Sequence, residues 1–152
     1  MRLILLLLLA TTFPSTSRTS WMRPEAFQLT IGMSRGDAMT ALEKWAPKRG
    51  KDANEVVVDY GDDKALTLHF RKDRLTSVRF ELFVFLPEIR LAFDEEKARL
   101  AEARGKPRKA TRSILIYDNA LPNLMVVAAD DPKSQQGKQG IGVLAVRYYD
   151  PR

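Results

Sequence analysis

His69 is the one histidine in the chain, and cysteine is absent. A structural or catalytic zinc site draws on several imidazoles or thiolates, so this sequence offers neither a two-histidine nor a thiolate metal centre. Nucleophilic chemistry finds no footing either. Ser34 lies in Gly32-Met33-Ser34-Arg35-Gly36-Asp37, with no base near it in the chain. Its hydroxyl is better placed to accept a free backbone N–H at a helix start. Gly-x-Ser-x-Gly does not occur. Gly137-Lys138-Gln139 lacks the upstream glycine, the following hydroxyl and the helix of a phosphate loop. Asp62-Asp63 and Asp130-Asp131 are acidic pairs of the kind that hold turns, with weak calcium binding the less economical reading. Asp59, Glu81 and Asp118 are the carboxylates a general acid and base would draw on, but nothing in the spacing pairs them. Arg35-Gly36-Asp37 is an integrin-type tripeptide by letters only, since it falls inside the expected helix start. The residues therefore predict a non-enzymatic protein with no catalytic, cofactor or metal site.

Binding is better represented. The chain carries a net charge of +6. Lys97, Arg99, Arg104, Lys106, Arg108, Lys109 and Arg112 crowd one segment, opposed by Glu102. Such a segment can meet anionic lipid, anionic polysaccharide or an acidic protein, or be a solvated helix face running into a charged loop. Within it Arg104, Lys106, Arg108 and Lys109 are candidate contacts. Nucleic acid is not expected, because no aromatics are interleaved there for base stacking. Lys133, Gln136 and Lys138 lie in the polar stretch Asp130–Gly140, which reads as an exposed, mobile hairpin loop. Tyr148 and Tyr149 complete the candidate contact set. Trp45 is a contact only if exposed, and the core is its expected place.

The N-terminus sets the expected compartment. Met1-Arg2 is followed by Leu3, Ile4 and the unbroken run Leu5 to Leu9, and then by small and polar residues. That order is the order of a secretory signal peptide, and the apolar run is short of the roughly 20 residues that span a bilayer. Residues 1–17 are the expected signal peptide, cut after Ser17, with a second possible site at Ala10 and Thr12. With no cysteine to be lipidated, the expected product is a periplasmic or secreted domain without disulfides. Residues 18–27 read as a linker, and 28–152 as one domain.

The elements follow from period and punctuation. Ser34 starts a helix in which Ala38, Leu42 and Trp45 share a face, and Pro47 stops it. Glu55–Tyr60, Ala65–Arg71 and Thr76–Phe85 read as strands joined by tight turns. The alternation puts Val78, Phe80, Leu82 and Val84 on one face, with Arg79, Glu81, Phe83 and Phe85 on the other. Phe83 and Phe85 imply that the far end of this second face is also covered. After Pro87 a helix is expected over 88–104, with Ile89, Phe93 and Leu100 inward, ended by Gly105 and Pro107. Strands return at 112–117, 124–129 and 142–149. The fold class expected is α+β, with helices on one face of an antiparallel sheet of about six strands.

The two halves, 28–86 and 87–152, repeat this order, each a helix and a three-stranded meander. Arg49-Gly50-Lys51 and Arg104-Gly105-Lys106 add a short identity. Within the first half, Ile31-Gly32-Met33-Ser34-Arg35-Gly36-Asp37 is followed by Val57-Val58-Asp59-Tyr60, Leu66-Thr67-Leu68-His69-Phe70 and Arg74-Leu75-Thr76-Ser77-Val78-Arg79-Phe80. This segment resembles the BamE (SmpA/OmlA) domain and the wider fold of the β-lactamase inhibitor protein. The chain departs from that pattern in lacking a lipid-anchor cysteine, in carrying Lys44-Trp45-Ala46-Pro47 at the helix end, and in having a second half. The resemblance implies an envelope module that binds another protein or an envelope polymer. The alternative it implies is an inhibitor or immunity protein of a periplasmic or secreted hydrolase.

Overall fold

A computed structural model of the chain describes residues 17–152. Apart from Ser17, the expected signal peptide lies outside the described residues. Two α-helices, α1 (Arg35–Leu42) and α2 (Ile89–Arg104), accompany eight strands. The strands are β1 (Lys48–Arg49), β2 (Glu55–Asp59), β3 (Lys64–Arg71), β4 (Arg74–Phe85), β5 (Lys109–Ala110), β6 (Ile114–Tyr117), β7 (Asn123–Ala129) and β8 (Ile141–Tyr149).

The Ser34 hydroxyl accepts the Asp37 N–H at 3.1 Å and starts α1, with the Asp37 charge in the first turn. A single 3-10 turn, Glu43–Trp45, carries the chain on before Pro47. Pro87 sits in the 3-10 turn Leu86–Glu88 that leads into α2, and Gly105 closes that helix in a positive-φ conformation. Ile89, Ala92, Phe93, Glu96 and Leu100 form its buried stripe. α2 lies so close to β8 that a Cβ on Gly142 would stand 3.1 Å from the Ile89 Cβ.

The strands form one open antiparallel sheet in the order β1-β2-β3-β4-β8-β7-β6-β5. This corrects the expectation of helices over a sheet of about six strands, since the fold is dominated by an eight-stranded sheet. The additional strands are β1 and β5, of two exposed residues each. Two residues carry no period, so neither strand has a signature in sequence. Both lie at sheet edges and are basic, with Lys48, Arg49 and Lys109. Short charged edges of this kind discourage pairing with a further strand.

The strand order is a palindrome, each half being a helix followed by four strands rather than three. The halves meet at β4 and β8, which pair from Ser77–Tyr149 to Phe85–Ile141. The shared Arg-Gly-Lys is not part of this symmetry. It runs out of β1 in the first half and precedes β5 in the second.

One core joins the elements. Val56 and Val58 of β2, Leu66 and Leu68 of β3, Val78, Phe80 and Leu82 of β4, Leu124 and Val126 of β7, and Leu144 and Val146 of β8 are all buried in it. Ala38 and Leu42 of α1 and the α2 stripe pack against them. Residues 18–27, expected as a linker, belong to this body. Thr19, Met22, Pro24 and Phe27 are buried, and the last two bound a 3-10 turn. Their spacing matches neither a helix nor a strand, so their inward direction has no pattern to announce it. Phe27 meets Trp45 at 4.9 Å between ring centroids, Tyr60 at 5.2 Å and Phe80 at 5.9 Å.

Candidate functional site

The strand residues that alternate with the core residues form the opposite face of the sheet. Neither helix shields it, because α1 and α2 contribute to the core on the other side. Pairing across strands sets out this open face row by row. One row runs from Val57 through Thr67, Arg79, Arg147 and Met125 to Ile116. The next runs from Asp59 through Ala65, Glu81, Ala145 and Val127 to Ile114. Beyond them Phe83, Val143 and Ala129 share a row, and Phe85 pairs with Ile141. Phe85 is 70% exposed, so the expectation that the far end is covered is corrected for the described residues.

The face has two unlike halves. On β1 to β4, short of Phe83 and Phe85, it is polar and internally paired, with His69–Glu55 at 3.7 Å, Arg79–Glu81 at 3.2 Å and Lys48–Asp59 at 3.3 Å. On β6 to β8 it is aliphatic: Ile114, Ile116, Met125, Val127, Ala129, Val143 and Ala145. These side chains are half-buried against one another, with Ala129 exposed, and together present a contiguous aliphatic surface of the kind that marks interaction sites. Arg79 and Arg147 face each other at the seam between the halves. Beside them is a groove of about 370 Å³, lined by His69, Arg79, Arg147, Met125, Val127 and Ala145 among others. A second hollow, of about 410 Å³, lies at the Phe85 and Ile141 end, with Arg18, Asp63 and Glu88 around it.

The carboxylates that catalysis would need are dispersed. Asp59 is paired with Lys48, Glu81 with Arg79 and Asp118 with Arg108. No group of three metal-ligating side chains exists among the described residues. Asp130 is paired with Arg90 at 3.5 Å, and the Asp131 carboxylate accepts the Lys133 N–H at 2.9 Å.

The sequence candidates are divided among three places. Lys133, Gln136 and Lys138 are exposed between β7 and β8. The stretch they occupy, expected as a mobile loop, forms a hydrogen-bonded turn. The Ser134 hydroxyl donates to the Asp131 carbonyl and accepts from the Gly137 N–H, while the Leu86 N–H donates to the Gly140 carbonyl. A Cβ on Gly137 would stand 2.0 Å from the Asp131 carbonyl oxygen. Gly137→Ala is therefore expected to open the turn and quicken tryptic cleavage at Lys133 and Lys138 severalfold. An unchanged cleavage rate would show that Gly137 does not hold it.

Tyr148, expected as a contact, is a core residue. It is 6% exposed, in step with Leu144 and Val146, and β8 turns it toward the helices. Its hydroxyl donates to the Met22 carbonyl at 3.2 Å and accepts from Arg99 at 3.3 Å. Burial pushes the phenol's pKa up, and the nearby Arg99 charge offsets part of this. Tyr149 is half-buried and lies on the open face, with the Arg147 guanidinium 5.4 Å from its ring centroid. Trp45 packs against Phe27 and Tyr60.

The basic segment is less concentrated than its sequence. Arg99 turns inward to Glu96, Arg104 donates to the Ala120 carbonyl at 3.1 Å, and Arg108 pairs with Asp118. Lys106 and Lys109 remain exposed at the β5 edge. Arg79, Arg147, Met125, Val127 and Ala145 have no distinguishing motif. Alternation puts Arg79, Arg147 and Ala145 on a face, the unbroken apolar run of β7 assigns none to Met125 and Val127, and only the β4–β8 and β7–β8 pairings make that face continuous.

No family model matches this chain, no curated protein matches it in sequence, and no solved structure matches it in fold.

Proposed function

We propose that this protein is a non-enzymatic binding module of the cell envelope, and that the open face of its sheet takes another protein. The observation that carries this reading is the aliphatic half of that face, on β6 to β8, which no helix of the described residues shields. Leaving such a surface against water is unfavourable by roughly 25 cal/mol per Å² of apolar area, and a partner's apolar side chains remove that cost. Sugar polymers are held by aromatic platforms and dense hydrogen bonding. The aliphatic floor supplies neither, so a protein is the better fit. The envelope assignment rests on the leader and on the BamE-like pattern of residues 29–83.

The test compares proteins captured from envelope extract by the wild type and by Ala145→Glu, which puts a charge into the aliphatic floor. A specific partner of the wild type is expected to be lost from the variant. The variant is expected to fold, because Ala145 lies on the open face, and the like charge it sets opposite Glu81 is answered by Arg79 and Arg147 in the adjoining row. Identical captured sets from two folded proteins would refute the reading. A secreted hydrolase as the lost partner would make the module an inhibitor.

A further inference from the structure

We infer that Arg79 and Arg147 form a carboxylate clamp, and that the partner is a protein presenting an extended segment with one acidic side chain flanked on one side by alternating apolar ones. This rests on the proposed use of the open face and specifies its partner. Arg79 and Arg147 are direct cross-strand neighbours at the centre of the sheet. Like charges directly opposite each other weaken strand pairing, so the local fold gains nothing from the arrangement. The charge is also incompletely answered. Glu81 pairs with Arg79, whereas Arg147, among the described residues, has only the Ser77 hydroxyl at 3.4 Å and the Tyr149 ring. Both arginines line one groove, Arg79 leaning to Glu81 in the next row and Arg147 to Ser77 and Tyr149 in the row before. The gap between the two guanidinium groups is therefore open to a second carboxylate, whose two oxygens a guanidinium fork matches.

The floor beside the clamp selects the partner residues on one side of the acid. From Arg147 the open-face residues of β8 run through Ala145 and Val143 to Ile141, flanked by Met125, Val127 and Ala129 of β7. Four residues along β8, from 147 to 143, cover about 13 Å. An extended partner segment of the same length presents every second side chain to the sheet. With its carboxylate between the two arginines, its next two sheet-facing side chains lie over Ala145 and Val143, where only apolar groups are desolvated without loss. The face continues to Phe83, Phe85, Ile114 and Ile116, wider than a small carboxylate would use. That width favours a segment carried by a folded protein.

The probe is a phage-displayed library of random strand-length peptides, selected on the wild-type domain. The expected enrichment is for peptides with Asp or Glu two residues from an apolar residue and four from another on the same side of it. Arg147→Gln is expected to weaken such a peptide about tenfold or more, with the larger loss at low salt, while Lys72→Gln, at an exposed turn, leaves it unchanged. Enriched peptides without an acidic residue, or indifferent to Arg147→Gln, would overturn the clamp. If those same peptides were still lost on Ala145→Glu, the open face would stand as the binding surface and only the clamp would fail. Peptides indifferent to both variants would overturn the face as well, as would a domain that enriches none. A domain that self-associates through this face would overturn the clamp in favour of a second copy.

Discussion

Phe27→Ala is expected to cost about 3–5 kcal/mol of folding stability, the range for truncating a fully buried phenylalanine. Phe27 is 1% exposed and touches Trp45, Tyr60, Trp21 and Phe80 through its ring, so the cavity would open at the centre of an aromatic cluster. Trp21 belongs to the same lead-in segment as Phe27, Trp45 and Tyr60 lie beyond α1 and β2, and Phe80 belongs to a central strand. Little can collapse into the space without moving the strand. Domains of this size are stable by only about 5–15 kcal/mol, so the loss is a large share of the total. Urea unfolding of wild type and variant measures it. A change within about 0.5 kcal/mol, the usual effect at an exposed site, would mean that residues 18–27 are a linker after all.

Arg99→Met is expected to cost a comparable 3–5 kcal/mol, roughly, at neutral pH, because it leaves a buried carboxylate with no counter-charge. Glu96 is 0% exposed on the inner stripe of α2. Arg99, one turn on, donates its Nε hydrogen to Glu96 at 3.0 Å and a second through the guanidinium NH2 group. It also donates to the Tyr148 hydroxyl, which in turn ties β8 to the Met22 carbonyl. Burial works against the Arg99 charge, but the Glu96 hydrogen bond and charge outweigh it, and the guanidinium holds its proton more firmly than usual. The pair therefore acts as a unit. The double variant Glu96→Leu/Arg99→Met should recover most of the loss, since an apolar pair of similar volume needs no compensation. If the double variant is as unstable as Arg99→Met alone, the cost comes from packing of the arginine stem rather than from the stranded charge.

Much of the local structure was legible. Ser34 as a helix cap, Pro47 and Pro87 as breaks, Gly105 as a helix end and the alternation of 78–85 all describe the folded chain. These features depend on hydrogen bonds and sterics within a few residues. The misreadings have a common cause as well. Tyr148 and Tyr149 are adjacent aromatics with the same composition around them. One becomes core and the other surface because β8 is flanked on both sides and its inner face meets α2. Leu124–Ala129 is apolar throughout, so no period separates Met125 and Val127 from Leu124 and Val126. The basic count over 97–112 overstated the free charge, because Arg99, Arg104 and Arg108 find acceptors distant in the chain or inside the core.

The sequence by itself determined the two helices of the described residues, the main strands and which residues of most strands share a face. It did so because side-chain period, capping and turn chemistry are local. Only the tertiary structure decided that β4 pairs with β8, that two lysine-bearing two-residue strands close the edges, and that residues 18–27 pack into the core. The same pairing sets Arg79 opposite Arg147 beside an aliphatic floor. Those outcomes depend on contacts between residues far apart in the chain, whose free energies are gained only after the sheet has closed its register. No local pattern records them.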